Sequence, residues 1–249
     1  MPMTSDIKLD EVSQVILIQG PPGSGKTWLL QTFPPPVYVF DFDGGVDTLR
    51  NVEGIEYDTY VDPPSPNQPT AWAAFVRMLN NFVQQKEGRI QKGTLAIDSL
   101  SSMMLMLQHY VMQHSKQKNP WARPSLPDWG TMISNVQELF MEFRCLNMTV
   151  AITCHEQQTM DEVERTHLIT PNVPGRSLPS DIPKWCDGVY RLEVTQSPKG
   201  ELSRVLRTVS TSRVNCKTKL LGLEPVEEPN YLRLLEKNRA AEGRKEVTN

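Results

Sequence analysis

The chain has 249 residues, 39% of them apolar, and a formal net charge of −3. That suits one large α/β domain or two small ones, and the charge by itself does not suggest nucleic acid. No stretch approaches the ~20 apolar residues of a membrane span, and the first ten residues lack the basic, apolar pattern of a secretory signal, so a cytoplasmic protein with no membrane partner is expected. The four cysteines (Cys145, Cys154, Cys186 and Cys216) have no C-x-x-C spacing and read as reduced thiols, not metal ligands.

In chain order, residues 15–18 form a short apolar run, a buried strand by pattern. Gly20, Pro21, Pro22, Gly23, Ser24, Gly25, Lys26 and Thr27 follow, a complete P-loop. Its glycines let successive backbone N–H groups curl towards phosphate oxygens. Lys26 can reach the β- and γ-phosphates, and Thr27 offers a hydroxyl to Mg²⁺. Trp28 opens the following helix at the edge of the same site. Three prolines at 34–36 stop that helix, and residues 37–40 read as a strand, with a further strand at 55–61. A proline-rich loop at 63–69 precedes a helix capped by Thr70, whose Trp72, Phe75, Val76, Leu79, Phe82 and Val83 share one face. Residues 94–98 read as a buried strand ending in Asp98, and 99–114 as a helix with a methionine-rich core face. Residues 116–128 read as a loop and Asp128 as the cap of the next helix. A strand at 148–154 and an irregular segment at 157–184 come next. Segments 189–194 and 204–209 alternate as a hairpin about a turn at 196–200.

The charge is unevenly distributed. Residues 1–62 carry ten acids against Lys8, Lys26 and Arg50, whereas residues 196–219 carry six cations against Glu201. Such a division suits a basic face on an anionic polymer, or the basic face of one subunit against the acidic face of the next.

Asp98, at the end of an apolar strand about seventy residues after the P-loop, is placed to hold Mg²⁺ opposite Thr27. A group that orients or deprotonates water is also needed for hydrolysis. Asp41 and Asp43 alternate onto one face of a strand end before Gly44 and Gly45 turn the chain, and Asp43 is the preferred base.

Strand, P-loop, helix, a strand ending Asp41-Phe42-Asp43-Gly44 and an apolar strand ending Asp98-Ser99 together resemble the RecA-like recombinase ATPases. The resemblance implies a RecA-like P-loop core over 1–235: a mostly parallel central sheet flanked by helices, with an antiparallel hairpin near the C-terminus. A charged tail over 236–249 would be a frayed helix or disordered. It implies ATP and Mg²⁺ as cofactors. It puts Asp43, one methylene shorter than the family's glutamate, in the role of water-activating acid, and His155 in that of γ-phosphate sensor. Lys217 and Lys219 resemble the paired lysines that such filaments insert into a neighbouring subunit's nucleotide. The segments 116–128 and 157–184 fall where that family has its two DNA-binding loops, which points to Lys116, Lys118, Trp121, Arg123, Arg165 and Arg176 as contacts to single-stranded DNA. Without the N-terminal helical domain of the cellular recombinases, residues 12–220 look like a phage-borne group of core-only proteins, the Sak-type single-strand annealing ATPases. The function implied is ATP-modulated annealing or recombination, with self-association into a filament or ring and a single-strand-binding protein as a further partner. A small-molecule P-loop kinase and a nucleotide switch that barely hydrolyses are the alternatives.

Overall fold

The computed structural model describes residues 13–62, 69–84, 93–116, 118–120, 122–146, 148–160, 167–196 and 199–247. Five strands run parallel: β1 (Val15–Gly20), β2 (Val37–Asp41), β3 (Ile55–Thr59), β4 (Thr94–Asp98) and β5 (Thr149–Met160); β1, β2, β4 and the first half of β5 are buried, and β3 is a half-exposed edge strand. They are followed by β6 (His167–Pro171), β7 (Gly188–Gln196), β8 (Leu202–Arg207) and β9 (Val226–Glu227). The order across the sheet is β3-β2-β4-β5-β1-β7-β8-β9, with β6 paired antiparallel to the outer half of β5. β7 is parallel to β1, and β8 and β9 run antiparallel beyond it. The expected mostly parallel sheet with an antiparallel hairpin near the C-terminus is the one observed.

Strands buried on both faces read as continuous apolar runs, and side-chain alternation then builds two cores. Val15, Leu17, Tyr38, Phe40, Leu95, Ile97, Val150 and Ile152 face α2 (Ala71–Gln84), α3 (Leu100–His114), α4 (Leu126–Cys145) and α5 (Leu178–Trp185). Ile16, Ile18, Val37, Val39, Ala96 and Ala151 face α1 (Lys26–Leu29) and α6 (Tyr231–Val247). The first core contains an aromatic cluster in which Phe75 meets Phe40 and Phe42 edge-on at 5.0 and 5.2 Å. In the second, Phe33 stacks on Tyr231 at 4.1 Å, which fixes the start of α6 beneath the P-loop helix. Every parallel strand therefore ends on the same edge of the sheet, where open α/β sheets place their sites.

Several boundaries differ from the sequence reading. The segment 157–184 is not an irregular loop: β5 continues to Met160, pairs with β6, and is followed by α5. Its periodicity is hidden because the β5 extension is half-exposed on both faces and because α5 is only eight residues long, with Pro179 in its first turn and Pro183 inside it. The helix after the first loop starts at Leu126. Ser125 is its cap, and Asp128 closes the capping box by accepting the Ser125 N–H at 2.8 Å; both residue types suit a helix start, and only the reciprocal bond tells them apart. α1 ends at Leu29 and continues as a 3-10 turn over Leu30–Thr32. Residues 236–247 are the second part of α6, where Asn238 is fully buried and accepts the Leu221 N–H at 2.8 Å.

Candidate active site

The P-loop leaves β1 at Gly20 under close confinement. A Cβ on Gly20 would stand 2.5 Å from the Leu192 carbonyl oxygen of β7, so only glycine allows the strand and the loop to share this space. Gly23 and Gly25 have φ of +74° and +98°, the left-handed region that side chains disfavour. The Lys26 ammonium lies within the curl, donating to the carbonyls of Gly20 and Pro21, each at 3.0 Å. Burial lowers its pKa from the usual lysine range, with Asp98 and Asp43 opposing. Ser24 Oγ is buried with no hydrogen-bond partner among the described residues, an orphaned polar atom inside a loop built to meet oxygen ligands.

Thr27 Oγ1 donates to Asp98 Oδ2 at 2.7 Å, and Thr153 of β5 donates to the other oxygen of Asp98. Asp98 is almost wholly buried. Burial raises its carboxyl, the hydrogen bonds from Thr153 and Thr27 oppose, and the charges of Asp43 and Asp41 add to the rise. A hydroxyl and a carboxylate converging beneath the P-loop are hard oxygen donors of the kind Mg²⁺ takes, with phosphate oxygens and waters completing its shell. Thr27 and Asp98 thus fit the ion.

The two acids of the second strand have different places. Asp41 is 1% exposed and its Oδ1 accepts the backbone N–H groups of Asp43, Gly44 and Gly45 at 3.2, 2.8 and 3.2 Å. It is the residue that turns the chain. Asp43 emerges from that turn into the cavity, its side chain 25% exposed. It accepts from Ser99 Oγ at 3.0 Å and lies 3.4 Å from His155 Nε2. Burial alone would raise the Asp43 carboxyl; hydrogen bonds from His155, Ser102 and Ser99 outweigh it and hold the group below its ordinary range. His155 stands directly opposite Gly20 in the β1–β5 register.

A cavity of about 580 Å³ joins these groups, lined by Gly23, Gly25, Lys26, Thr27, Trp28, Asp43, Asp98 and His155. Trp28 is at its rim, 52% exposed. Thr48, Leu192, Arg204 and Pro229 also line it; they come from segments with no motif, so nothing in the sequence marks them, and Arg204 is there one cation of a basic run. A wider cleft of about 760 Å³ lies between β2, β3 and α2, away from the P-loop, and holds none of these groups.

The remaining expected residues are elsewhere. Lys219 Nζ pairs with Asp187 Oδ1 at 2.5 Å, and Asp187 also accepts the Val15 N–H at 2.9 Å. Val15 is the opposite end of β1 from Gly20, about 17 Å away at ~3.3 Å per residue. Lys217 pairs through its backbone with Val189 and donates its ammonium to the Lys184 carbonyl at 3.3 Å. Neither lysine is brought to its own subunit's P-loop. Lys116, Lys118, Arg123 and Arg176 are exposed; Trp121 and Arg165 lie outside the described residues.

A P-loop, a buried carboxylate two strands away and a second acid above it define a P-loop nucleotide-binding domain. The chain belongs to the AAA domain family, whose profile covers residues 13–220. No curated protein matches it. Among solved structures it is similar to a KaiC-like protein from the hyperthermophilic archaeon Pyrococcus horikoshii OT3. The two are 14% identical over 83% of this chain and 82% of that one, with a TM-score of 0.43. A prototypical ATPase of the type III secretion system of pathogenic bacteria is 13% identical over 73% and 52%, TM-score 0.47. The flagellar accessory protein FlaH of Methanocaldococcus jannaschii is 12% identical over 81% and 79%, TM-score 0.38. Among the described residues no helix is long and apolar enough to cross a membrane.

Proposed function

We propose that this chain binds ATP with Mg²⁺ and hydrolyses it. The observation that carries this reading is the convergence of Lys26, the Thr27–Asp98 pair and Asp43 on one cavity at the C-terminal edge of the sheet. Lys26 and the loop N–H groups hold the β- and γ-phosphates, and Thr27 and Asp98 hold the ion, which when bound neutralises charge on the phosphate oxygens. Asp43, kept ionised by Ser99 and His155, accepts a proton from water as the water oxygen bonds to the γ-phosphorus and the bond to the β-bridging oxygen breaks. His155 then reports the state of the γ-phosphate through its contact with Asp43. The test is an ATP titration with phosphate release, on wild type and Lys26→Ala. Wild-type binding and turnover, both lost in a folded Lys26→Ala protein, support the reading; affinity unchanged by the substitution refutes it.

The finer proposal is that turnover serves assembly on single-stranded DNA for annealing or recombination, as the resemblance to Sak-type proteins implies. Exposed cations in the two candidate segments support it. They are also neighbours through their flanks: the Trp129 ring at the start of α4 lies 3.6 Å from where a Gly175 Cβ would stand, beside Arg176.

A further inference from the structure

The β7–β8 hairpin extends past the end of β1 and lies along the P-loop. Leu206 of β8 is buried in the core shared with α1 and α6. Strand alternation sends Arg204, two residues nearer the hairpin tip, to the same face. There the apolar neighbours have given way to the loop. Arg204 Nε donates to the Ser24 carbonyl at 2.9 Å, and its stem lies flat on the turn: a Cβ on Gly25 would stand 3.1 Å from Nε and 3.3 Å from Cδ. The side chain lines the same cavity as Lys26, Thr27 and Asp98. Among the described residues its two terminal nitrogens have no hydrogen-bond or ion-pair partner.

We propose that Arg204 is a phosphate-binding residue of this site, supplied by the subunit's own C-terminal hairpin. Nε anchors the guanidinium to the P-loop, and the two terminal nitrogens engage oxygens of the nucleotide's phosphate chain. The charges of the site call for such a group. Among the described residues Lys26 is the only other lysine or arginine lining the cavity, while Asp43 and Asp98 add negative charge beside a polyanion. A planar fork of parallel N–H donors matches phosphate oxygens in a way an ammonium does not.

The inference rests on the cavity being an ATP site, and the experiment separates the two. The affinities of the full chain for ATP, inorganic tripolyphosphate and adenosine are measured with Mg²⁺ for wild type, Lys26→Ala, Arg204→Ala and Arg204→Gln, all checked for folding by circular dichroism. The glutamine amide nitrogen falls where Arg204 Nε lies, so Arg204→Gln keeps a donor for Ser24 and removes the fork and its charge. Both Arg204 variants are expected to lose about 10- to 100-fold in ATP and tripolyphosphate affinity, as charge-assisted hydrogen bonds are worth, with adenosine unaffected. Wild-type affinity in Arg204→Gln would mean that the side chain only holds the loop, and overturns the proposal. So does ATP weakened with tripolyphosphate unchanged, which would place Arg204 on the base, and so does an unchanged Arg204→Ala. If wild type binds neither triphosphate, the ATP reading itself fails; if it binds both through Lys26 and the Arg204 variants match it, only this inference fails.

Discussion

Asp41 and Asp43 are two residues apart and of one type, yet their surroundings predict opposite consequences. Removing Asp41 as Asp41→Ala leaves three partly buried N–H groups without the carboxylate oxygen they now share. A net hydrogen bond to a charged acceptor is worth ~1.5–3 kcal/mol. Counting the 2.8 Å bond in full and the two 3.2 Å bonds in part gives a loss of ~3–4 kcal/mol. At ~2–4 °C per kcal/mol for a chain of this size, the melting midpoint falls by roughly 6–16 °C. Asp43→Asn keeps an oxygen for the Ser99 hydroxyl at a partly solvated position, so its stability changes by less than ~1 kcal/mol. It does lose the proton acceptor, and hydrolysis falls by ~10²-fold or more with ATP affinity nearly intact. Thermal melts and phosphate release, measured side by side on the two variants, check the division. A wild-type melt for Asp41→Ala, or normal hydrolysis by Asp43→Asn with failure of Asp41→Asn, would show the turn and the base to be exchanged.

Lys217→Ala and Lys219→Ala are each expected to lower turnover without affecting ATP binding by the isolated subunit, since a cation reaching a neighbour's phosphates acts only after assembly, an effect of ~10³-fold or more in arginine-finger systems. Mixing the double lysine variant with Asp43→Asn should restore activity; residual activities that merely add, with co-assembly confirmed by cross-linking, reject the shared site. Trp121→Ala with Arg123→Ala should weaken single-stranded DNA binding and leave ATP affinity alone, and what remains, through Lys116 and Lys118, should fade with salt. Anisotropy showing no DNA binding by the wild type with ATP and Mg²⁺ ends the recombination reading.

Most of the parallel half of the sheet was legible because β1, β2 and β4 are buried on both faces and bounded by strong punctuation: the P-loop glycines, the prolines at 34–36 and the Asp41–Gly45 turn. The Thr27–Asp98 pairing was legible for the same reason, since each residue closes or follows an apolar strand. What the sequence hid is what depends on register between distant segments. Arg204 is one of several cations in its stretch, and only the pairing of Val194 with Arg204 and of Gln19 with Arg191 places it over the loop. Ser99 is marked only by following Asp98, and its bond to Asp43 crosses from one strand end to the next. The division of labour between Asp41 and Asp43 was half legible: alternation put both on one face, but the turn that buries the first and releases the second is a property of three backbone N–H groups.

The groups at the two ends of the cavity are held in one frame by charge. Glu156, adjacent to His155 on β5, takes a bidentate pair from Arg191 of β7 at 2.8 and 3.0 Å. Arg191 also donates to Glu193, which accepts Arg207 of β8 at 2.5 Å. All four side chains are between 13% and 27% exposed. Pairs this dehydrated add little net stability, because desolvation offsets their attraction, but removing one partner leaves a charge uncompensated. Their effect here is on register. Strand alternation turns His155 towards Asp43 and Glu156 towards Arg191, so fixing Glu156 fixes the face His155 presents. The same network ties β7 to β8, whose Arg204 meets the P-loop. A site that stabilises charge by position must have its dipoles and cations in place before the reaction begins. In this chain the strand that carries the histidine and the hairpin that carries the arginine cannot slip independently.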